Sequence, residues 1–161
     1  MSRINGILRK GTDYLRYDQY TGGYVNSRGK PIDVQERLDD VRKIDMAIAQ
    51  SDSPPIKLYR KCEVSEEFNG IEKAELGKVF TLDAYESTTI SEKAATDFKA
   101  EVKNREVIEI LFPGGRGGGV FMTGNTDWED EFEFLLKRGS KLSIVKKPDD
   151  INNIYMFEVL P

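Results

Sequence analysis

Residues 128–136 of this 161-residue chain read Trp-Glu-Asp-Glu-Phe-Glu-Phe-Leu-Leu. Glutamates alternate with phenylalanines and leucines follow, which is the pattern of a β-strand with one polar and one buried face. In such a strand Phe132 and Phe134 point into the core, while the glutamates share the open face. Taken by itself, the stretch predicts a half-buried strand that carries a row of carboxylates.

Neighbouring carboxylates also raise the question of catalysis. Side chains at positions i and i+2 lie about 6.5–7 Å apart along a strand, and like charges at that spacing repel each other. Glycoside hydrolases use two carboxylates, but these flank the sugar from opposite sides. A pair two residues apart on one strand does not fit that arrangement, so a glycosidase is disfavoured.

Short strands are predicted through the rest of the C-terminal two-thirds. The predicted strands cover residues 56–60, 79–81, 106–112, 120–122, 132–136, 141–146 and 155–160. Helical periodicity occurs in residues 32–50, where Asp33 is a candidate N-cap, and in residues 92–101 after Ser91. Residues 20–31, rich in Gly and Tyr, predict a helix end followed by a loop.

These elements indicate an α+β fold with mainly antiparallel strands, because few helices are available to connect parallel ones. The length fits one domain over residues 1–161. We expect its first part, residues 1–53, to be mainly helical and residues 54–161 to form a β-rich core.

Composition excludes several kinds of catalyst. The chain has no histidine and one cysteine, Cys62, which we expect to be a half-buried, unactivated thiol. A catalytic triad, a histidine general base, a redox pair of cysteines and a His- or Cys-rich metal site are therefore ruled out. Any catalytic group must be a carboxylate, Arg, Lys, Tyr, Ser or Thr.

The net charge of −4 argues against nucleic acid as a partner. No stretch approaches the roughly 18 apolar residues of a membrane span, so no membrane partner is expected. The first ten residues are too polar for a signal peptide. We expect a cytoplasmic protein, and delivery by a route without a cleaved signal stays open.

Three further segments carry side chains that a ligand could use. Arg60 ends a predicted strand, and a guanidinium held by a strand can form paired hydrogen bonds to a phosphate. Residues 85–89, Tyr-Glu-Ser-Thr-Thr, could orient a neighbouring carboxylate or cap the helix that follows. Residues 114–119, Gly-Gly-Arg-Gly-Gly-Gly, lack a P-loop ending and predict a flexible loop. Each segment alone also fits an ordinary surface or turn role.

Together and in this order, the segments resemble the Arg-Ser-Glu class of mono-ADP-ribosyltransferases, which includes the clostridial actin- and Rho-modifying toxins and many phage and bacterial effectors. The similar segments are Tyr20-Thr21-Gly22, Tyr24-Val25-Asn26 with Arg28, Ile44-Asp45, Ala47-Ile48, Leu58-Tyr59-Arg60, Phe80-Thr81, Ser87-Thr88-Thr89, Ala94-Ala95, Phe98, residues 131–136 and residues 138–142. The resemblance runs from about residue 20 to 145. It departs from the class at Thr89, where a serine is usual, and in its short N-terminal part.

The resemblance implies two packed, mainly antiparallel sheets with NAD, a co-substrate, in the cleft between them, and no metal. Glu133 would be the catalytic carboxylate, accepting a hydrogen bond from the ribose 2′-OH and stabilising the cationic transition state. Such a cation needs preorganised negative charge rather than a proton shuttle, so a site without histidine is sufficient. Ser87 would hold Glu133, Arg60 would bind the phosphates, and Thr88 would support the strand.

The resemblance also assigns roles around the acceptor. Glu131 would orient or deprotonate the nucleophile, and a glutamate there is typical of enzymes that modify arginine of a target protein. Trp128 would contact that protein. The implied cofactor contacts are Arg60, Ser87, Thr88, Tyr24, Asn26 and Arg116.

Two alternatives stay open. One is an inactive relative of the fold that serves as a phage virion or interaction protein. The other is an NAD glycohydrolase, in which water replaces the protein acceptor.

Overall fold

The computed structural model describes residues 16–20, 22–25, 29–97, 105–122 and 132–161. Its helices are α1 (Val34–Gln50), α2 (Val64–Glu67) and α3 (Glu92–Asp97), with a 3-10 turn at Ile71–Lys73. The strands are β1 (Arg16–Asp18), β2 (Gly23–Val25), β3 (Pro31–Ile32), β4 (Asp52–Ser53), β5 (Ile56–Cys62), β6 (Val79–Thr81), β7 (Glu86–Thr89), β8 (Glu106–Phe112), β9 (Gly115–Arg116), β10 (Gly119–Phe121), β11 (Glu133–Leu136), β12 (Lys141–Lys146) and β13 (Met156–Leu160).

Helix α1 begins and ends where the sequence predicts. The Asp33 side chain accepts a hydrogen bond from the Glu36 amide, which satisfies one of the open donors at the N-terminus. The chain leaves helical geometry at Ser51, ahead of two prolines. Val41 and Ile48 form the buried face and pack with Leu135 in a small core cluster. The helix is thereby fixed against the strand that contains Glu133.

Eight strands form one sheet in the order β10-β11-β7-β5-β8-β13-β12-β6. Neighbouring strands are antiparallel except β8 and β13, which are parallel. Seven positions pair β5 with β8, whereas β5 and β7 pair at one, Tyr59 opposite Thr89. The sheet therefore consists of two parts joined at a narrow junction.

The two parts pack against each other around a shared core. Strands β8 and β11 are three strand spacings apart, about 14 Å in a flat sheet, yet the rings of Phe112 and Phe134 are 5.2 Å apart. Leu142 and Phe157 from the far side of the sheet belong to the same core cluster. The sheet folds over at the β5–β7 junction, and the predicted α+β architecture is confirmed.

Most predicted strands are present. Those over 106–112 and 141–146 have the predicted bounds, and β5 extends two residues past Arg60. Ser91 caps α3, since its Oγ accepts a hydrogen bond from the Ala94 amide. Residues 98–101 of that predicted helix lie outside the described residues.

The prediction of a helix end and loop over residues 20–31 is wrong. Strands β1, β2 and β3 form a small antiparallel sheet here. Gly22 has a φ of 67° and its amide donates to the Asp18 carbonyl, which closes a tight turn that a residue with a side chain adopts rarely. Residues 1–15 of the predicted helical part lie outside the described residues.

Phe132 does not point into the core as predicted. It has a φ of 43°, is 60% exposed and precedes the strand, which begins at Glu133. Alternation between the two faces therefore starts one residue later than the sequence pattern suggests.

No helix in the described part of the chain is long and apolar enough to span a membrane.

Candidate active site

A cleft of about 560 Å³ opens beside the junction of β5 and β7. Arg60 comes from β5, Ser87 from β7 and Glu133 from β11, and helix α2 contributes Glu67 to the rim. The volume lies within the roughly 300–1,000 Å³ of small-molecule sites. Three predicted site residues from distant segments of the chain thus meet in one cleft.

Ser87 and Glu133 are joined by a hydrogen bond across two strands. In the register of β7 and β11, Ser87 lies opposite Leu135 and Glu133 opposite Thr89, so the two side chains are diagonal neighbours on one face. Ser87 Oγ donates to Glu133 Oε1 at 2.6 Å. The carboxylate at the predicted catalytic position is therefore held by the predicted hydroxyl.

Thr88 serves the strands themselves. It is buried, and its Oγ1 donates to the carbonyl of Phe134 at 2.6 Å. This bond ties β7 to β11 next to the Ser87–Glu133 pair. The strand support expected of Thr88 is thus present as a contact.

Arg60 is buried among acidic partners. Its Nη2 and Nε donate to the two carboxylate oxygens of Glu67 at 2.5 and 3.3 Å. Nη1 donates to the Ser87 carbonyl at 3.1 Å and lies 2.7 Å from Glu86 Oε2, an ion pair rather than an aligned hydrogen bond. Burial disfavours the charged form of the guanidinium, but Glu86 and Glu67 outweigh that effect and raise the pKa of Arg60.

Sequence reasoning missed the two carboxylates that hold Arg60. Glu86 lies within residues 85–89, whose sequence predicts a helix cap or a group that orients a neighbouring carboxylate, and does not predict strand β7. Glu67 follows Arg60 by seven residues, which is about 10 Å along a helix and more than about 20 Å along a strand, so neither element would pair the two side chains. Only the turn between β5 and α2 brings it back to the guanidinium.

Arg105 is a further basic residue in the cleft, which the sequence did not single out. It lies just before β8 and lines the same cavity as Glu133. Within the described part of the chain, its buried Nε has no hydrogen-bond partner. An anionic ligand in the cleft would supply the acceptor that this group lacks.

A second network fixes β7 against α1. The hydroxyl of the fully buried Tyr85 shares its single proton between two acceptors, the Val41 carbonyl at 3.0 Å and the Asp45 carboxylate at 2.6 Å. Arg138 donates to both oxygens of Asp45, the shortest contact being 2.6 Å. Hydrogen bonding from Arg138 lowers the pKa of Asp45. Tyr85, two residues before Ser87, is therefore anchored on α1, and Asp45 links it to the turn after β11.

Other predicted site residues have different positions. Tyr24 lies in β2 and Arg116 in β9, and neither is among the described residues that line the cleft. Arg116 donates to the carbonyl of Ala49. Asn26, Trp128 and Glu131 lie outside the described residues. The roles assigned to these five residues stay predictions.

Cys62 is more buried than expected. It ends β5 with 2% of its surface exposed, and burial raises the pKa of its thiol to about 12. The thiol is therefore protonated at neutral pH and is a poor nucleophile. This agrees with the expectation that Cys62 takes no part in chemistry.

Fold and site together define a NAD-dependent mono-ADP-ribosyltransferase. The family model of the ADP-ribosyltransferase exoenzymes matches residues 2–156, and the chain belongs to that family. NAD is its co-substrate. A comparison of the sequence with curated proteins gives no match.

Solved structures of ADP-ribosyltransferases share the fold. The chain is 19% identical to an ADP-ribosyltransferase from Clostridium botulinum, with a TM-score of 0.66 over 98% of this chain and 78% of that one. It is 17% identical to a protein from S. aureus that was solved with NAD, with a TM-score of 0.65 over 99% and 80%. The Vis toxin from Vibrio splendidus is 18% identical, with a TM-score of 0.60 over 99% and 67%.

Proposed function

We propose that this protein transfers ADP-ribose from NAD to an arginine side chain of a target protein, with Glu133 as the catalytic carboxylate. The observation that carries the proposal is the 2.6 Å hydrogen bond between Ser87 and Glu133 at the wall of the cleft. A carboxylate held in this way has its charge oriented before the reaction begins, which is the condition for effective electrostatic stabilisation.

The reaction breaks the bond between the ribose carbon and the nicotinamide nitrogen. The bonding electrons leave with nicotinamide, which becomes neutral, and positive charge develops on the ribose. Glu133 stabilises that charge and accepts a hydrogen bond from the ribose 2′-OH. A nitrogen of the acceptor then forms the new bond to the same carbon and loses a proton, which Glu131 is proposed to accept.

Binding of the co-substrate is assigned to basic residues of the cleft and to side chains of neighbouring segments. Arg60 is proposed to contact the phosphates, since a guanidinium matches two phosphate oxygens. The buried Nε of Arg105, which has no partner among the described residues, supports an anionic ligand in the same cleft. Tyr24, Asn26 and Arg116 are proposed as further contacts from neighbouring segments.

The electrostatics of the rim support a basic acceptor. Glu63 and Glu66 line the mouth of the cleft, and the pKa of Glu63 is raised because its protonated carboxyl can donate a hydrogen bond to Glu66, with desolvation and the repulsion between the two carboxylates adding to the effect. A cationic side chain entering beside them relieves that repulsion. An arginine of a target protein fits this environment better than a neutral or acidic side chain, and Trp128 is proposed to contact the same protein.

We further propose that the target belongs to a cell into which the protein is delivered. Vis, one of the solved structures that share the fold, is a toxin. Delivery by a route without a cleaved signal, which the sequence leaves open, is compatible with this proposal. Delivery by a phage would be one such route.

The proposal is tested by treating cell lysates with the protein and isotope-labelled NAD. Mass spectrometry then locates the ADP-ribosyl group on the acceptor. We expect modified arginine that depends on both enzyme and NAD. Modification of asparagine alone would overturn the arginine assignment, and nicotinamide release at a rate unaffected by lysate would identify a glycohydrolase instead. Absence of both products would leave an inactive relative as the correct description.

A further inference from the structure

The guanidinium of Arg60 is enclosed by carboxylates of the chain itself. Glu67 forms a two-pronged contact with Nε and Nη2, and Glu86 lies 2.7 Å from Nη1. The three side chains are 16%, 22% and 4% exposed, so water screens these pairs only in part. One positive and two negative charges give the group a formal net charge of −1.

This arrangement conflicts with a phosphate-binding role for Arg60 unless a contact is exchanged. A guanidinium has five N–H donors, and a two-pronged contact uses the same edge that a phosphate would occupy. The net negative charge would also repel an approaching phosphate. Direct binding of a phosphate by Arg60 therefore requires that one carboxylate move away.

The environments of the two glutamates indicate which one moves. Glu86 lies in β7 and is nearly fully buried, so separating its charge from that of Arg60 would be costly. Glu67 lies on α2, a helix of four residues at the rim of the cleft, and is partly exposed. Its carboxylate can reach water by a change of side-chain torsion.

We propose that Glu67 competes with the NAD phosphates for Arg60, while Glu86 stays paired and holds the guanidinium in place. This inference rests on the proposed function. Glu67 thereby sets the affinity of the site for NAD and takes no part in bond breaking. It acts as a positioning residue for Arg60, which keeps the guanidinium ordered until a phosphate replaces the carboxylate.

The test compares NAD affinity in variants that differ by one charge. Glu67→Gln retains the shape of the side chain and removes its charge. Since a partly exposed charged pair contributes up to about 1 kcal/mol, we expect NAD to bind about three- to fivefold more tightly by calorimetry. KM for NAD should fall by a similar factor while kcat is unchanged.

Glu66→Gln is the matched control. Glu66 is the preceding residue on the same helix, lines the same cleft and makes no described contact with Arg60. It removes the same charge from the rim, so it reports the general electrostatic effect. We expect its NAD affinity to stay within about twofold of the wild type.

Each outcome decides the inference. Equal or weaker NAD binding by Glu67→Gln, or equal tightening by Glu66→Gln, would overturn it. If the wild type binds NAD and transfers ADP-ribose but Glu67→Gln shows no gain, the inference fails and the proposed function stands. If neither protein binds NAD, both fail. Should Glu67→Gln not fold, Glu67→Asp replaces it, because the shorter side chain retracts the carboxylate from Arg60. For the inference to hold, Glu67→Asp must bind NAD more tightly than the wild type, by less than the about three- to fivefold expected of Glu67→Gln.

Discussion

Ser87 and Glu133 are diagonal neighbours on adjacent antiparallel strands, and the Ser87 hydroxyl donates to the Glu133 carboxylate at 2.6 Å. The main-chain register of β7 and β11 sets this relationship, and the Thr88 hydroxyl reinforces that register through the Phe134 carbonyl. The pairing of β7 with β11 thus sets the orientation of the proposed catalytic carboxylate. Substitutions that each remove one hydrogen bond can test that orientation.

Ser87→Ala removes the hydroxyl and leaves Glu133 free to rotate. We expect kcat for ADP-ribose transfer to fall about 10- to 100-fold, since misplacing a catalytic group by an ångström has effects of that order. KM for NAD should change less. Steady-state assays with a fixed acceptor measure both constants.

Ser91→Ala is the control for that experiment. Ser91 caps α3, so its loss costs about 1 kcal/mol of stability without a described contact to Glu133. Its kcat at room temperature should equal that of the wild type. If both variants lost activity equally, the effect of Ser87→Ala would be one of stability and not of orientation.

The ion pair of Asp45 and Arg138 gives a stability that depends on pH. Arg138 lowers the pKa of Asp45 below its ordinary value of 3.8, so the native state favours the ionised carboxylate. The gain is therefore complete above about pH 4 and is lost as the pH falls through the lowered pKa. Because the side chains are 36% and 44% exposed, we expect about 1 kcal/mol or less.

Asp45→Asn should accordingly be less stable than the wild type at neutral pH in urea unfolding. The difference should shrink as the pH falls below about 4 and vanish below the lowered pKa of Asp45, where the native wild-type carboxyl also becomes neutral. A difference that grows on acidification would contradict the assigned sign.

The thiol of Cys62 should resist alkylation in the folded protein. Its pKa is raised to about 12 and 2% of the residue is exposed. In mildly alkaline buffer we expect no iodoacetamide adduct in the native state and one adduct per chain in urea, as counted by mass spectrometry. Rapid native labelling would show that the end of β5 is open to solvent.

Gly119 is required for the packing of β10 against β11. A Cβ at this position would lie 2.6 Å from a ring carbon of Phe134 and 2.7 Å from the Leu135 carbonyl oxygen, both in a closely packed region. We expect Gly119→Ala to destabilise the protein by about 1–3 kcal/mol. Gly23→Ala in β2 is the control, since nothing lies within 4 Å of its added methyl group, and urea unfolding compares the two.

The sequence predicted those elements whose pattern is local. The strands over Glu106–Phe112 and Lys141–Lys146 are rich in Ile, Leu and Val and are each followed within two residues by a proline, and both have the predicted bounds. Strand β7 was not predicted, because Glu, Ser and Thr are as common in turns and caps as in strands. Its place between β5 and β11 comes from pairing with distant segments.

The candidate site likewise contains residues that the sequence predicted and residues that only the folded structure brings together. Arg60, Ser87 and Glu133 were found because their order along the chain resembles a known class. Glu67 and Arg105 belong to no such motif, and only the folded chain brings them into the cleft. Phe132 was misplaced because alternation predicts where a strand runs but not the residue at which it begins.

The most direct test of the proposed role of Glu133 is ADP-ribose transfer by Glu133→Gln. The glutamine keeps an acceptor for the Ser87 hydroxyl, so the fold and NAD binding should be preserved, as checked by calorimetry and melting temperature. We expect transfer from labelled NAD to fall at least about 100-fold, since a preorganised charge at the developing cation is lost. Transfer at the wild-type rate by a Glu133→Gln protein that binds NAD normally would contradict that role.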